Sequence, residues 1–142
     1  MERSLILLKP DCIQKRLVGT VLERFQKAGF KIIGCKMMAF SKKLLKEHYA
    51  HITREDFFPK LEKFMLSGPV MAIVLEGRNV VRRARRIVGA TDPKRAAKGS
   101  IRNDFGRTSM DNICHASDTT ENAQIEIKRF FKPSEVYALR RK

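Results

Sequence analysis

Apolar and polar positions change period several times along the chain, and each change predicts an element. Leu5 to Leu8 is a continuous apolar run, the pattern of a short strand buried on both faces. Pro10 ends it, because proline cannot donate to a ladder. Residues 17 to 28 carry Val18, Val21, Leu22, Phe25 and Ala28 at helical spacing, with Gly29 as the stop. Ile33, Cys35, Met37 and Ala39 then alternate, so 31 to 40 reads as a strand. Ser41 is placed to cap a helix through Tyr49, and Pro59 to open another through Leu66. Val70 to Leu75 is a third apolar run, read as a buried strand. Asn79 is placed to cap a helix that turns Val80, Ala84, Ile87 and Val88 inward. Gly89 to Asn112 shows no period, and an ordered loop of that length is usually functional. Ile113 to His115 reads as a short fourth strand. Asp118, Thr119 and Thr120 precede a helix from about Glu121 to Phe131 that buries Ala123, Ile127, Phe130 and Phe131.

Four strands interleaved with helices predict an α/β sandwich. The expected organisation is one domain over residues 1–142, with a C-terminal tail from about residue 133. Arg140, Arg141 and Lys142 are expected to fray. No apolar run is long enough to span a bilayer, and the N-terminus lacks a secretory apolar region. Cys12, Cys35 and Cys114 share no metal-binding spacing and read as reduced thiols, Cys114 as a packed one. The expected compartment is the cytoplasm, with no membrane partner.

Charge alters the picture. The chain has 30 Lys or Arg against 15 Asp or Glu, a net +15. Residues 78 to 107 alone hold ten cations against Asp92 and Asp104, a local +8. A solvated basic face is the plain reading. An excess this large also suits an anionic partner such as nucleic acid or a phosphorylated substrate.

Candidate chemistry narrows that choice. There is no P-loop, no GxGxxG after the first strand and no GxSxG elbow. His48 and His51 read as surface or packing residues. His115 differs, because Asn112, Ser117 and Asp118 stand around it just after the arginine-rich stretch. An imidazole there can be a general base, a metal ligand or a nucleophile. No second His or Cys stands at metal spacing. A nucleophilic histidine beside guanidinium groups suits phosphoryl transfer, where positioning and charge neutralisation dominate.

The run Asn112-Ile-Cys-His115-Ala-Ser117-Asp118 resembles the active-site signature of nucleoside diphosphate kinases, Asn-x-x-His-(Gly/Ala)-Ser-Asp. The likeness extends from residue 2 to about 137. Glu2 to Asp11, Phe57-Phe58-Pro59, Phe64-Met65-x-Ser67-Gly68-Pro69-Val70, Leu75-Glu76-Gly77, Gly89 to Pro93 and Ile101-Arg102-x-Asp104-Phe105 match in order. There are departures: Ser109-Met110-Asp111 stands where Val-Gly-Arg is frequent, Asn103 replaces a small residue, and Thr119-Thr120 follows the signature. The short tail resembles bacterial members.

The resemblance implies a ferredoxin-like βαββαβ sandwich with a four-stranded antiparallel sheet, extra short helices and a long loop before the histidine. It implies ping-pong transfer of the γ-phosphate from a nucleoside triphosphate, typically ATP, to a nucleoside diphosphate through phosphohistidine at His115. Lys9 is expected at the transferring phosphate and the sugar hydroxyl, with Asn112 on the same hydroxyl. Tyr49 is expected beside the imidazole. Arg85, Thr91 and Arg102 should hold phosphates, and Phe57 should stack on the base with Leu61 beside it. Ser117 and Glu126 should fix the histidine ring. Magnesium should arrive with the nucleotide, with Asp118 near it through water. Members of the family assemble as tetramers or hexamers.

Elementary chemistry agrees. An ordinary imidazole, pKa ~6.5, is mostly neutral at cytosolic pH and so can attack. Lys9, Arg85 and Arg102 offset charge on the transferring group. Stacking on Phe57 tolerates any base. Plainer readings exist: Phe57 and Leu61 as core, Arg85 and Arg102 as surface, Tyr49 as packing. Two alternatives to the enzyme are a basic ferredoxin-like module that binds nucleic acid without catalysis, and an inactive structural relative. Against the first, no RRM-type aromatic strand is present. Against the second, the set Lys9, Arg85, Arg102, Asn112, His115 and Glu126 is intact. Nonspecific nucleic-acid binding through residues 78–107 stays compatible with the enzyme.

Overall fold

The computed structural model describes residues 1–139; Arg140, Arg141 and Lys142, expected to fray, lie outside the described residues. Strands β1 (Glu2–Leu8), β2 (Lys31–Met38), β3 (Val70–Gly77) and β4 (Cys114–Ala116) form one sheet in the order β2-β3-β1-β4. All neighbours run antiparallel. This is the expected antiparallel α+β sandwich. The apolar run Leu5 to Leu8 is fully buried because helices cover both faces of β1. Ile6 and Leu8 pack with Val21 and Phe25 of α2 (Val18–Lys27) and Val80 and Ala84 of α5 (Val80–Val88). Leu5 and Leu7 pack with Leu45 of α3 (Lys42–His48), Leu61 of α4 (Phe58–Met65) and Phe130 of α7 (Thr120–Phe130). Each such side chain removed from water contributes roughly 1.5–3 kcal/mol.

Several local expectations are corrected. Pro10 ends β1 but at once opens α1 (Pro10–Gln14), sitting in the first turn where no N–H is needed. The alternation expected along β2 is broken by a bulge between Ile32 and Gly34. Ile33 is buried, but Cys35 is exposed and Met37 is 57% exposed. Asn79 precedes α5 in the left-handed region, φ 52°, and its side chain makes no cap. The aperiodic stretch before the fourth strand contains α6 (Ile101–Phe105), whose cap is Ser100, its Oγ accepting from the Asn103 N–H. The fourth strand starts one residue later than expected, after Ile113 at φ 81°.

The segment after α7 forms a 3-10 turn, Pro133–Glu135, and lies along β2. The Tyr137 N–H donates to the Ile33 carbonyl at 2.8 Å, and Lys36 pairs with Glu135 at 3.0 Å. No helix among the described residues is long and apolar enough to cross a membrane.

Candidate active site

The end of β1 and the start of β4 set the floor of the site. Ile113 is β-branched and held at φ 81°, a conformation such residues avoid. Two long-range hydrogen bonds keep it there. Its N–H donates to Asp11 Oδ2 at 2.9 Å, and its carbonyl accepts from the Lys9 N–H at 2.9 Å. Burial, then a hydrogen bond that its protonated form donates to the Asp111 carboxylate, pushes the Asp11 carboxyl up to about 6. The kink turns Asn112 and His115 toward a common cavity. Lys9 Nζ donates to Asn112 Oδ1 at 2.7 Å, and Asn112 Nδ2 donates to the Thr91 and Ser109 carbonyls, each at 3.0 Å.

The arginines are anchored through main-chain carbonyls. Arg102, on α6, donates to the carbonyls of Asn112 at 3.3 Å, Gly89 at 3.1 Å and Cys114 at 2.7 Å. Arg85, on α5, donates to the Ala116 carbonyl at 3.2 Å. Burial, and then the neighbouring Arg102, pulls the Lys9 ammonium down to about 8. Lys9, Arg85 and Arg102 therefore line one cavity and form no ion pair among the described residues, an arrangement that favours an anion entering from solvent.

His115, on β4, is gripped from α7. Its Nε2 lies 3.1 Å from Glu126 Oε1. Ser117 Oγ donates to the same oxygen at 2.7 Å and accepts from the Leu5 N–H at 3.0 Å. Burial alone would raise the Glu126 carboxyl, but the His115 and Ser117 hydrogen bonds outweigh it and hold it below the usual carboxylate range. With Nε2 committed to Glu126, the ring's other nitrogen, Nδ1, is the one left to react.

A cavity of about 750 Å³ opens over this cluster. Lys9, Tyr49, Phe57, Leu61, Arg85, Thr91, Arg102, Asn112, His115, Asp118 and Glu126 all line it. Ser117 alone of the expected site residues does not; it is fully buried beneath His115. Phe57 stands at the rim, 47% exposed, while Leu61 is buried below it. Tyr49 packs its ring on His48 and makes no hydrogen bond to His115; burial pushes its phenol up. Ser109 also reaches the cavity.

Two residues of the site escaped the sequence reading. His48 is a packing residue, as one of its plain readings held, but it packs against His115 itself, with ring centroids 4.8 Å apart. Arg129 lines the cavity and bonds to His48. The available signal was its spacing: Arg129 follows Glu126 by three residues and so shares its helix face. His48, His115 and Glu126 offer one donor atom each within 4.8 Å of one another. The Arg129 guanidinium on His48 works against a cation there. Asp118 is the better placed carboxylate, being exposed at the cavity with Oδ1 accepting from Asn122 at 2.8 Å.

Comparisons with known proteins agree with this geometry. A family model described as nucleoside diphosphate kinase matches residues 2–136. The nucleoside diphosphate kinase of a Thermus thermophilus strain is 47% identical over 136 residues, covering 96% of this chain and 99% of the relative. That of Saccharomyces cerevisiae is 46% identical over 135 residues, covering 95% of this chain and 88% of the relative. The crystal structure of the Aquifex aeolicus enzyme superimposes with a TM-score of 0.91 at 42% identity, over 96% of this chain and 99% of that one. The Encephalitozoon cuniculi enzyme gives 0.94 at 35% identity, over 98% and 95%. Nothing in these likenesses favours a non-catalytic nucleic-acid-binding module. The chain belongs to the nucleoside diphosphate kinase family, enzymes that transfer phosphate between nucleotides.

Proposed function

We propose that His115 carries the phosphoryl group, and that the cavity takes donor and acceptor nucleotides in turn. The observation that carries this reading is the Glu126 grip on Nε2, which favours the proton there and leaves Nδ1 as the free ring nitrogen in a cavity that Lys9, Arg85 and Arg102 also line. A nucleoside triphosphate, typically ATP, binds with its base against Phe57 and Leu61 and its phosphates on Arg85, Thr91 and Arg102. Lys9 and Asn112 meet the sugar hydroxyl, and Lys9 also the transferring phosphate. Nδ1 attacks the γ-phosphorus; the N–P bond forms as the P–O bond to the β-phosphate breaks, and the diphosphate leaves. Glu126, still hydrogen-bonded to Nε2–H, stabilises the positive charge on the phosphoimidazole. A second nucleoside diphosphate takes the place of the first and reverses the step. Tyr49 bounds the pocket beside the imidazole.

A divalent cation, magnesium, would neutralise phosphate charge, held mainly by the nucleotide with Asp118 facing it through water. The exposed Asp118 carboxylate at the cavity fits that hydrated contact. In this reading the enzyme works in the cytoplasm as a homo-oligomer, a tetramer or hexamer. The surplus cations support a second property, weak and sequence-independent binding of nucleic acid. Arg82, Arg86, Lys94 and Lys98 are exposed and make no ion pair among the described residues.

The main reading is tested by incubating the protein with γ-labelled ATP and magnesium without acceptor. An acid-labile, base-stable phosphoprotein should form and discharge onto any added nucleoside diphosphate. His115→Ala should abolish labelling; label that survives that substitution would sink the mechanism.

A further inference from the structure

Behind His115 stands a second imidazole that phosphoryl transfer as described does not use. The His48 and His115 rings meet at 79°. His48 is 4% exposed and wedged among Phe40, Tyr49 and Phe130. Its Nδ1 lies 2.9 Å from Arg129 Nη1. A guanidinium has donors only, so Nδ1 must accept, and the ring's single proton sits on Nε2. That buried Nε2 has no partner among the described residues, an arrangement that costs stability. α7 thus makes two grips from one face, Glu126 on His115 and Arg129 on His48.

The placement matters because one donor atom of each of His48, His115 and Glu126 lies within 4.8 Å of the others. A protonated His48 would compete with His115 for the Glu126 carboxylate. It would also add positive charge beside the ring that becomes cationic on phosphorylation. We propose that Arg129 and His48 form a positioning pair: the guanidinium locks His48 in its neutral Nε2–H form, and that ring braces His115 without competing for Glu126. The inference rests on the reading of His115 as phosphate acceptor and adds the residues that hold its ring.

The surroundings of His48 agree. Burial, then His115, pulls its imidazole down to about 3. The charged and titratable groups around it are Glu126 and Arg129 from α7, His115 from β4, and His51 from the 3-10 turn Ala50–Ile52. Tyr49 packs beside it, and Glu47 sits 3.7 Å from Arg129. Only Glu126 favours its charged form among the groups that act on it directly.

The test is the tautomer of His48, read by nitrogen-15 NMR of its ring, together with the rate of phosphoenzyme formation from ATP. In Arg129→Leu, Nδ1 loses its donor while burial still keeps the ring neutral, so the proton is free to move from Nε2 to Nδ1. A signal that reports Nε2–H alone in the wild type should become a mixture of both tautomers, and phosphoenzyme formation should slow by roughly tenfold or more. R129M gives the same test with an unbranched stem, and R129K, which keeps a donor, should lie nearer the wild type. Adding His48→Phe to R129L keeps a ring but removes its tautomers, so the rate should recover. A purely structural defect would not be reversed by H48F. An unchanged tautomer in R129L and R129M, or a rate loss that persists with H48F, overturns the proposal. His115→Ala should abolish labelling in every background; label surviving it overturns the underlying reading instead.

Discussion

Lys9 enters the cavity as a buried cation whose charge is costly, pulled down to about 8 by burial and then by Arg102. Below that pH the free enzyme holds the ammonium; above it the charge is lost. Nucleotide affinity is therefore expected to fall as pH rises through about 8. A KM–pH profile checks this, and Lys9→Met should have weak affinity and no such limb. Glu126 acts at the same scale. Glu126→Ala frees both ring nitrogens of His115 and should lower the rate of phosphoenzyme formation by about 10²-fold or more, with KM little changed. Rapid-quench kinetics would show it; a large KM effect with intact rate would place Glu126 in binding instead. His115, Lys9 and Asn112 were legible in the sequence because their chemistry comes as an ordered motif. His48 and Arg129 were not, because their contact joins α3 to α7 across 81 residues and neither falls in that motif.

Short elements carry much of the site, and they were the least legible. α6 spans five residues, too few to show a period, yet it delivers Arg102. Its seat depends on Gly89, at φ 94°, whose carbonyl accepts from Arg102. A Cβ at position 89 would lie 2.8 Å from Ser100 Cβ and would carry a disfavoured φ. Gly89→Ala should destabilise by about 1–3 kcal/mol and raise KM together, because α6 shifts with its arginine. Thermal melts and steady-state kinetics on one preparation would separate the two effects. β1 and β3 were legible because burial on both faces leaves unbroken apolar runs. Alternation marks β2 as a strand but not which of its residues face inward, because a bulge changes that without altering composition.

Across the whole molecule, the cavity draws on the ends of β1 and α3, on α4, α5 and α6, and on β4 and α7. That convergence was implied only by the family resemblance, since periodicity places elements and not their mutual approach. Lys9, Arg85 and Arg102 account for a small part of the +15 charge. Some of the remainder is structural: Arg83 donates to the Ala28 carbonyl at 2.7 Å and lies over Phe30. The exposed Arg82, Arg86, Lys94 and Lys98 should give nonspecific nucleic-acid binding whose logarithm falls linearly with log salt, by about 0.9 for each double-stranded phosphate neutralised. Replacing all four with alanine should flatten that slope while leaving phosphotransfer unchanged; a titration series in salt reads both.

The most direct test concerns which nitrogen of which residue takes the phosphate. Phosphoenzyme made from ATP, kept at alkaline pH and examined by phosphorus–nitrogen correlated NMR, reports the bonded atom. The expected result is a single phosphohistidine at His115 with phosphorus on Nδ1 and the proton on Nε2, facing Glu126. Phosphorus on Nε2, or on any residue other than His115, would contradict it.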